Sequence, residues 1–87
     1  MDIKSWKIML AVDDYGSFTR VGAELGYTQS GITQMMKNLE KKVGFPLYIK
    51  DHHGIRLTNE AKSLIPAIRT LLNADEVIHQ EIAALNG

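Results

Sequence analysis

The chain has no cysteine. That excludes disulfide staples and thiolate metal sites, and it fits a reducing cytoplasm, where we expect the protein to act. No apolar run approaches the roughly 20 residues of a membrane-spanning helix. The opening residues, MetAspIleLysSerTrpLys, lack the long apolar stretch of a signal peptide. Charge of one sign is not in excess, because ten basic residues stand against ten acidic ones, so the chain is no indiscriminate polycation. No GxSxG, HExxH or Gly-rich phosphate loop occurs. Without those marks of catalysis we expect no enzyme and no cofactor. Internal repeats, low-complexity tracts and flexible linkers are missing as well. At 87 residues the chain makes one domain with a small core, to which self-association could add stability.

The balanced charge is unevenly spread. Residues 1–27 are net −1, three basic against four acidic, and residues 58–87 are net −2, two against four. Residues 28–57 are net +3, five against two, which makes the middle third the candidate for a phosphate-facing surface.

Hydrophobic spacing divides the chain into elements. Ile3, Trp6, Met9, Leu10 and Val12 give residues 3–14 a broad apolar helical stripe, closed at Asp13-Asp14-Tyr15-Gly16. Ser17 caps a second helix over Phe18–Leu25, with Gly26 as its C-terminal residue. Thr28 caps a third over 29–43. In it Ile32, Met36, Leu39 and Val43 face inward, while Gln29, Thr33 and Lys37, four apart, share the opposite face with Ser30 and Gln34. Met36 is core by spacing, and Met35 lies at the edge of the polar face. Gly44 and Pro46 stop the helix. Two β-prone pieces follow, 47–50 and 55–57, joined by Asp51-His52-His53-Gly54, a hairpin. Thr58 caps a last helix to about Leu85, with Pro66 in its third turn expected to kink it or cost one backbone bond.

Two helices broken at Gly26-Tyr27, the second with one apolar face and one of short polar side chains and a lysine, form a helix-turn-helix whose second helix suits a DNA groove. A hairpin after that helix is a wing. We therefore expect a mainly α fold: a winged helix-turn-helix of three helices and a short β-hairpin wing over residues 1–58. A long linker and dimerisation helix over 59–87 follows within the same unit. In the last helix, Leu64, Ile68, Leu71, Asp75, Ile78, Ile82 and Leu85 alternate by four and three as a heptad seam with one charged interruption. A helix of 28 residues reaches roughly 40 Å. It outruns so small a domain and must bury its stripe against something else.

The ordered motifs resemble a known family. SerPheThr opens the second helix and ThrGlnSer the third, with LeuGlu near its end. Then come GlyPheProLeuTyrIleLys, a short wing, and ArgLeuThr at the start of a long helix. Together, over essentially the whole chain, they are similar to the N-terminal DNA-binding domain of LysR-type transcriptional regulators; molybdate-responsive regulators carry a similar domain. The resemblance implies a bacterial regulator that binds double-stranded DNA as a homodimer, or as a tetramer in the full-length protein, its long helix pairing antiparallel with its twin. It also implies a larger C-terminal effector-binding domain, which this span lacks. Thr28, Gln29, Ser30, Thr33, Gln34 and Lys37 match the groove-facing positions, and Lys50 and Arg56 match basic wing positions. The chain departs from the family at Gln34, where Arg or Lys is usual, at His53, where Arg is frequent, and at Gly22 and Gly31, where Ala is usual.

Each site residue also has a plainer reading. Gln29 and Gln34 can bond adenine through both amide atoms, or they are solvated helix residues. Thr28 caps its helix in either case, and its free first-turn N–H groups could hold a phosphate. Lys37, Lys50 and Arg56 are phosphate candidates or ordinary surface charge. His53, with His52, could enter a narrow minor groove in its protonated form, or the two form a solvated turn; no third metal ligand lies nearby. The seam residues Leu64, Ile68, Leu71, Ile78, Ile82 and Leu85 are dimerisation candidates or intramolecular core. The expected function is a sequence-specific DNA-binding transcriptional regulator. It would read the major groove with helix 28–43 and the backbone or minor groove with wing 50–56. The alternative is a winged-helix protein–protein interaction module without DNA binding.

Overall fold

The computed structural model describes residues 2–87. Its elements run α1 (Ile3–Tyr15), α2 (Phe18–Leu25), α3 (Gln29–Val43), β1 (Tyr48–Asp51), β2 (Gly54–Leu57) and α4 (Asn59–Asn86). This is the expected winged helix-turn-helix with its long last helix. Among the described residues no helix is long and apolar enough to cross a membrane.

Every helix starts on a side-chain cap that satisfies one of the unpaired first-turn N–H groups. Asp2 accepts from the Ser5 N–H, Ser17 from Arg20, Thr28 from Gly31 and Thr58 from Ala61. The Ser5 backbone and hydroxyl together pull the Asp2 carboxyl below the usual carboxylate range. Lys41 and Lys42 sit in the last turn of α3, where they favour its negative end.

The core gathers Ile8, Met9 and Val12 of α1, Phe18 and Val21 of α2, and Ile32, Met36 and Leu39 of α3. Leu47, Ile55, Leu57, Ala61 and Ile68 complete it. In α1 the buried line runs through Ile8, which the apolar stripe read from the sequence omitted, while Ile3, Trp6 and Leu10 are half-buried. An apolar helix offers several stripes, and the neighbouring α2 and α3 choose which one is covered.

Two motif residues act as structural ties. Glu40 accepts the Leu47 N–H at 2.8 Å, holding the end of α3 to the entry of β1. Thr58 donates its hydroxyl to the Pro46 carbonyl at 2.9 Å, and its N–H goes to Leu47 at 3.0 Å, so the start of α4 is tied to the same corner.

The wing is tighter than the sequence suggested. The strands are 48–51 and 54–57, paired antiparallel with Tyr48 opposite Leu57 and Asp51 opposite Gly54, so only His52 and His53 form the turn. Leu47 lies outside the strand and is fully buried. The Ile55 N–H donates to Gly16 at 2.9 Å, pinning the wing to the α1–α2 turn. Gly54 is required there: its φ is +114°, and a Cβ would lie 2.7 Å from the Gly16 oxygen.

Helix α4 runs unbroken through Pro66. It packs on α1 and β2 with its first half only. The rest projects outward and gives the chain an elongated 49 × 26 × 20 Å envelope.

Candidate nucleic-acid interface

The outer face of α3 carries Gln29, Ser30, Gln34 and Lys37 exposed, with Thr33 half-covered between them. Short internal bonds hold this face in order. The Gln29 amide donates to the Thr33 hydroxyl at 2.9 Å, and that hydroxyl donates to the Gln29 carbonyl at 3.1 Å. One turn on, the Gln34 amide donates to Asn38 at 2.9 Å. Asn38, also exposed, thus extends the polar face by a position that the sequence reading missed. Its four-residue spacing from Gln34 was the available signal. Thr28 is committed to capping, at 3.0 Å from the Gly31 N–H, and its hydroxyl lies 3.3 Å from that of Ser30.

Lys37 lies where α3 meets the wing. Its ammonium stands 5.3 Å over the Tyr48 ring, which meets Phe18 edge-on at 4.9 Å between centroids. The Tyr48 side chain holds the ammonium above the ordinary lysine value, so Lys37 is charged at any physiological pH. Tyr48 is a second residue whose part the sequence did not disclose, because the contact joins positions far apart in the chain.

Strand alternation separates the two wing cations. Register pairs Lys50 with Ile55 and Ile49 with Arg56, so Lys50 and Arg56 project from opposite faces of the hairpin. Lys50 lines a cleft with Gly16, Ser17, Phe18, Thr19 and Gln29, where the first turn of α2, the start of α3 and the wing converge. Arg56, on the outer face, is in an ion pair with Asp51 at 2.9 Å. Asp51 also accepts the His53 N–H at 2.9 Å, and the His52 and His53 rings lie 4.1 Å apart at the exposed tip.

The seam residues of α4 divide. Ile68 is only 4% exposed and belongs to the core of its own chain. Leu64 is half-buried and lines a shallow apolar groove with Trp6, Ala67, Ile68 and Leu71. Beyond it Leu71, Ile78, Ile82 and Leu85 are open, at 43, 56, 49 and 88% exposure. Val77, not among the seam positions, is exposed as well. Asp75, in the seam, lies 3.5 Å from His79.

Comparison with known proteins agrees with this geometry. A family model described as "Bacterial regulatory helix-turn-helix protein, lysR family" matches residues 3–62. The chain is 31% identical over 85 residues to the HTH-type transcriptional activator CmpR of Synechocystis sp., covering 98% of this chain and 28% of CmpR. It is 35% identical over 65 residues to the HTH-type transcriptional activator AmpR of Providencia stuartii, covering 75% of this chain and 22% of AmpR. It thus spans about a quarter of the length of these curated relatives. Among solved structures it superposes on the CbnR DBD–DNA complex with a TM-score of 0.88 at 25% identity, each chain covered in full. It superposes on CbnR, a LysR family transcriptional regulator, with a TM-score of 0.87 at 26% identity, over 97% of this chain and 29% of that one.

Proposed function

This chain belongs to the LysR family of bacterial regulatory helix-turn-helix proteins, and we propose that it is the sequence-specific DNA-binding unit of a transcriptional regulator. One observation carries the reading. Gln29, in the first turn of the exposed polar face of α3, and the wing cation Lys50 line a single cleft, as a helix in the major groove with a flanking backbone contact requires. Residues 1–58 form the reading head. Within it Gln29, Thr33 and Gln34 face base edges, Lys37 and Lys50 face phosphates, and Thr28 with Ser30 presents the first turn of α3 to the backbone. His53 and Arg56 approach from the wing. The interaction module without DNA binding is disfavoured by the family membership. No enzymatic role is assigned, and the site of action is the cytoplasm, where the DNA is.

Residues 59–87 serve as a dimerisation arm. The seam of Leu71, Ile78, Ile82 and Leu85 is left open by the described residues, and a second copy would cover it by pairing antiparallel about a twofold axis. The groove between Trp6 and Leu71 would then receive the distal end of the partner's arm. Ile68 takes no part, because its own core already holds it. A tetramer belongs to the full-length protein.

Selection of bound sequences from random duplex DNA tests the function. An inverted-repeat motif is expected, since a twofold protein reads its two half-sites symmetrically. Binding should weaken steeply with salt, and Lys50→Ala should reduce the log–log slope by about 1. Failure to enrich any motif, together with binding indifferent to salt, would refute the assignment.

A further inference from the structure

We propose that Asp51 is a specificity-determining residue that keeps the wing arginine from adhering to arbitrary DNA. The inference rests on the DNA-binding reading above. Asp51 is the only acidic residue in the wing, and its two carboxylate oxygens have different partners. Oδ1 accepts the His53 N–H and shapes the turn, and Oδ2 is paired with the Arg56 guanidinium, both at 2.9 Å. The ion pair spans the outward face of the hairpin diagonally, from the end of β1 to the middle of β2.

The Arg56 side chain is 59% and that of Asp51 27% exposed, so solvent reaches the pair and it is exchangeable. A phosphate can take Arg56 from Asp51, but it then stands beside an uncompensated carboxylate. The exchange therefore gives little net gain on any duplex. Lys50 projects from the other face, and among the described residues no acidic side chain pairs with it. Among the described residues the wing thus offers one cation without an acidic partner and one masked one. Non-specific attraction is held down, and discrimination is left to the polar face of α3. Arg56 is therefore not equivalent to Lys50, although the sequence alone makes them look alike.

Asp51→Asn tests this directly, because asparagine keeps an oxygen for the His53 N–H while losing the charge. Asp51→Ser, which can also close the turn, serves as a second variant, and circular dichroism with thermal melting checks both for folding. Binding to a scrambled duplex is titrated over a salt series. One added phosphate contact should steepen the log–log slope by about 0.9 and tighten binding at 0.1 M salt about eightfold relative to 1 M. On the scrambled duplex Arg56→Ala should cost less in the parent chain than in the Asp51→Asn background, where it should abolish that gain. An unchanged slope in both folded variants, or an Arg56→Ala loss equal in the two backgrounds, overturns the inference and leaves the DNA-binding reading standing. A parent chain that binds no duplex in a salt-dependent way overturns both.

Discussion

Replacing Ile78 and Ile82 together with Asp should convert the proposed dimer into monomers that remain folded. Fully burying an isoleucine is worth about 1.5–3 kcal/mol. These two are 56 and 49% exposed, so covering them adds about half that amount each. A twofold interface contains four such side chains, or about 3–6 kcal/mol in all, which corresponds to a change of about 10²–10⁴ in the dimer dissociation constant. Burying the four carboxylates would cost more, so the shift should reach at least this range. Sedimentation equilibrium over a concentration series measures it. The melting temperature should barely move at concentrations where the parent is already monomeric, because neither isoleucine touches the core. Ile68→Ala provides the contrast. It lies in the same seam but within the core, so it should cost the fold about 2–5 kcal/mol. Arg69→Ala, an exposed change on the far side of the helix, should leave both measurements alone. The reasoning fails if the parent chain is monomeric at tens of micromolar, or if the double variant dimerises as tightly as the parent.

Other perturbations test other parts of the molecule. Gln29→Ala should lower affinity for the selected operator by about 1–3 kcal/mol of discrimination while sparing a scrambled duplex; paired titrations at one salt concentration decide, and equal loss on both would transfer the reading role to Gln34. A bidentate contact would require the Gln29 amide to leave Thr33, so Thr33→Ala should change operator binding without melting the helix. Gly22→Ala should destabilise the fold by about 1–3 kcal/mol, because its Cβ would stand 2.5 Å from the Tyr27 oxygen in the turn between the two helices; denaturant unfolding with an unchanged midpoint would show that the turn gives way freely. The Asp2 carboxyl titrates below its unfolded value because Ser5 bonds its charged form. Its contribution to the start of α1 is therefore complete above the unfolded value and is lost as pH falls through the folded one. The parent should exceed Asp2→Ala in melting temperature at neutral pH, and the gap should close in strong acid; a gap independent of pH would contradict the cap.

Local chemistry was legible in the sequence because its interactions run between near neighbours. Ser17, Thr28 and Thr58 cap the helices where their hydroxyls predicted, and α2 and α3 take the bounds that Gly26 and Gly44 mark. The four-residue spacing of Gln29, Thr33 and Lys37 was sufficient to place them on the face of α3 opposite the core, because helical geometry is a short-range rule. The ordered motifs carried the family as well.

Contacts between distant positions required the tertiary structure. Nothing in the heptad seam separates Ile68 from Ile78. The domain ends partway along α4, and only the packing of α1 and β2 decides that one is core and the other open. The choice of Ile8 within an apolar α1 is of the same kind. In the wing, register assigned Lys50 and Arg56 to opposite faces and brought Asp51 to Arg56. A one-residue shift in strand pairing reverses every side chain, so residues alike in type and neighbourhood acquire different roles once the hairpin is built.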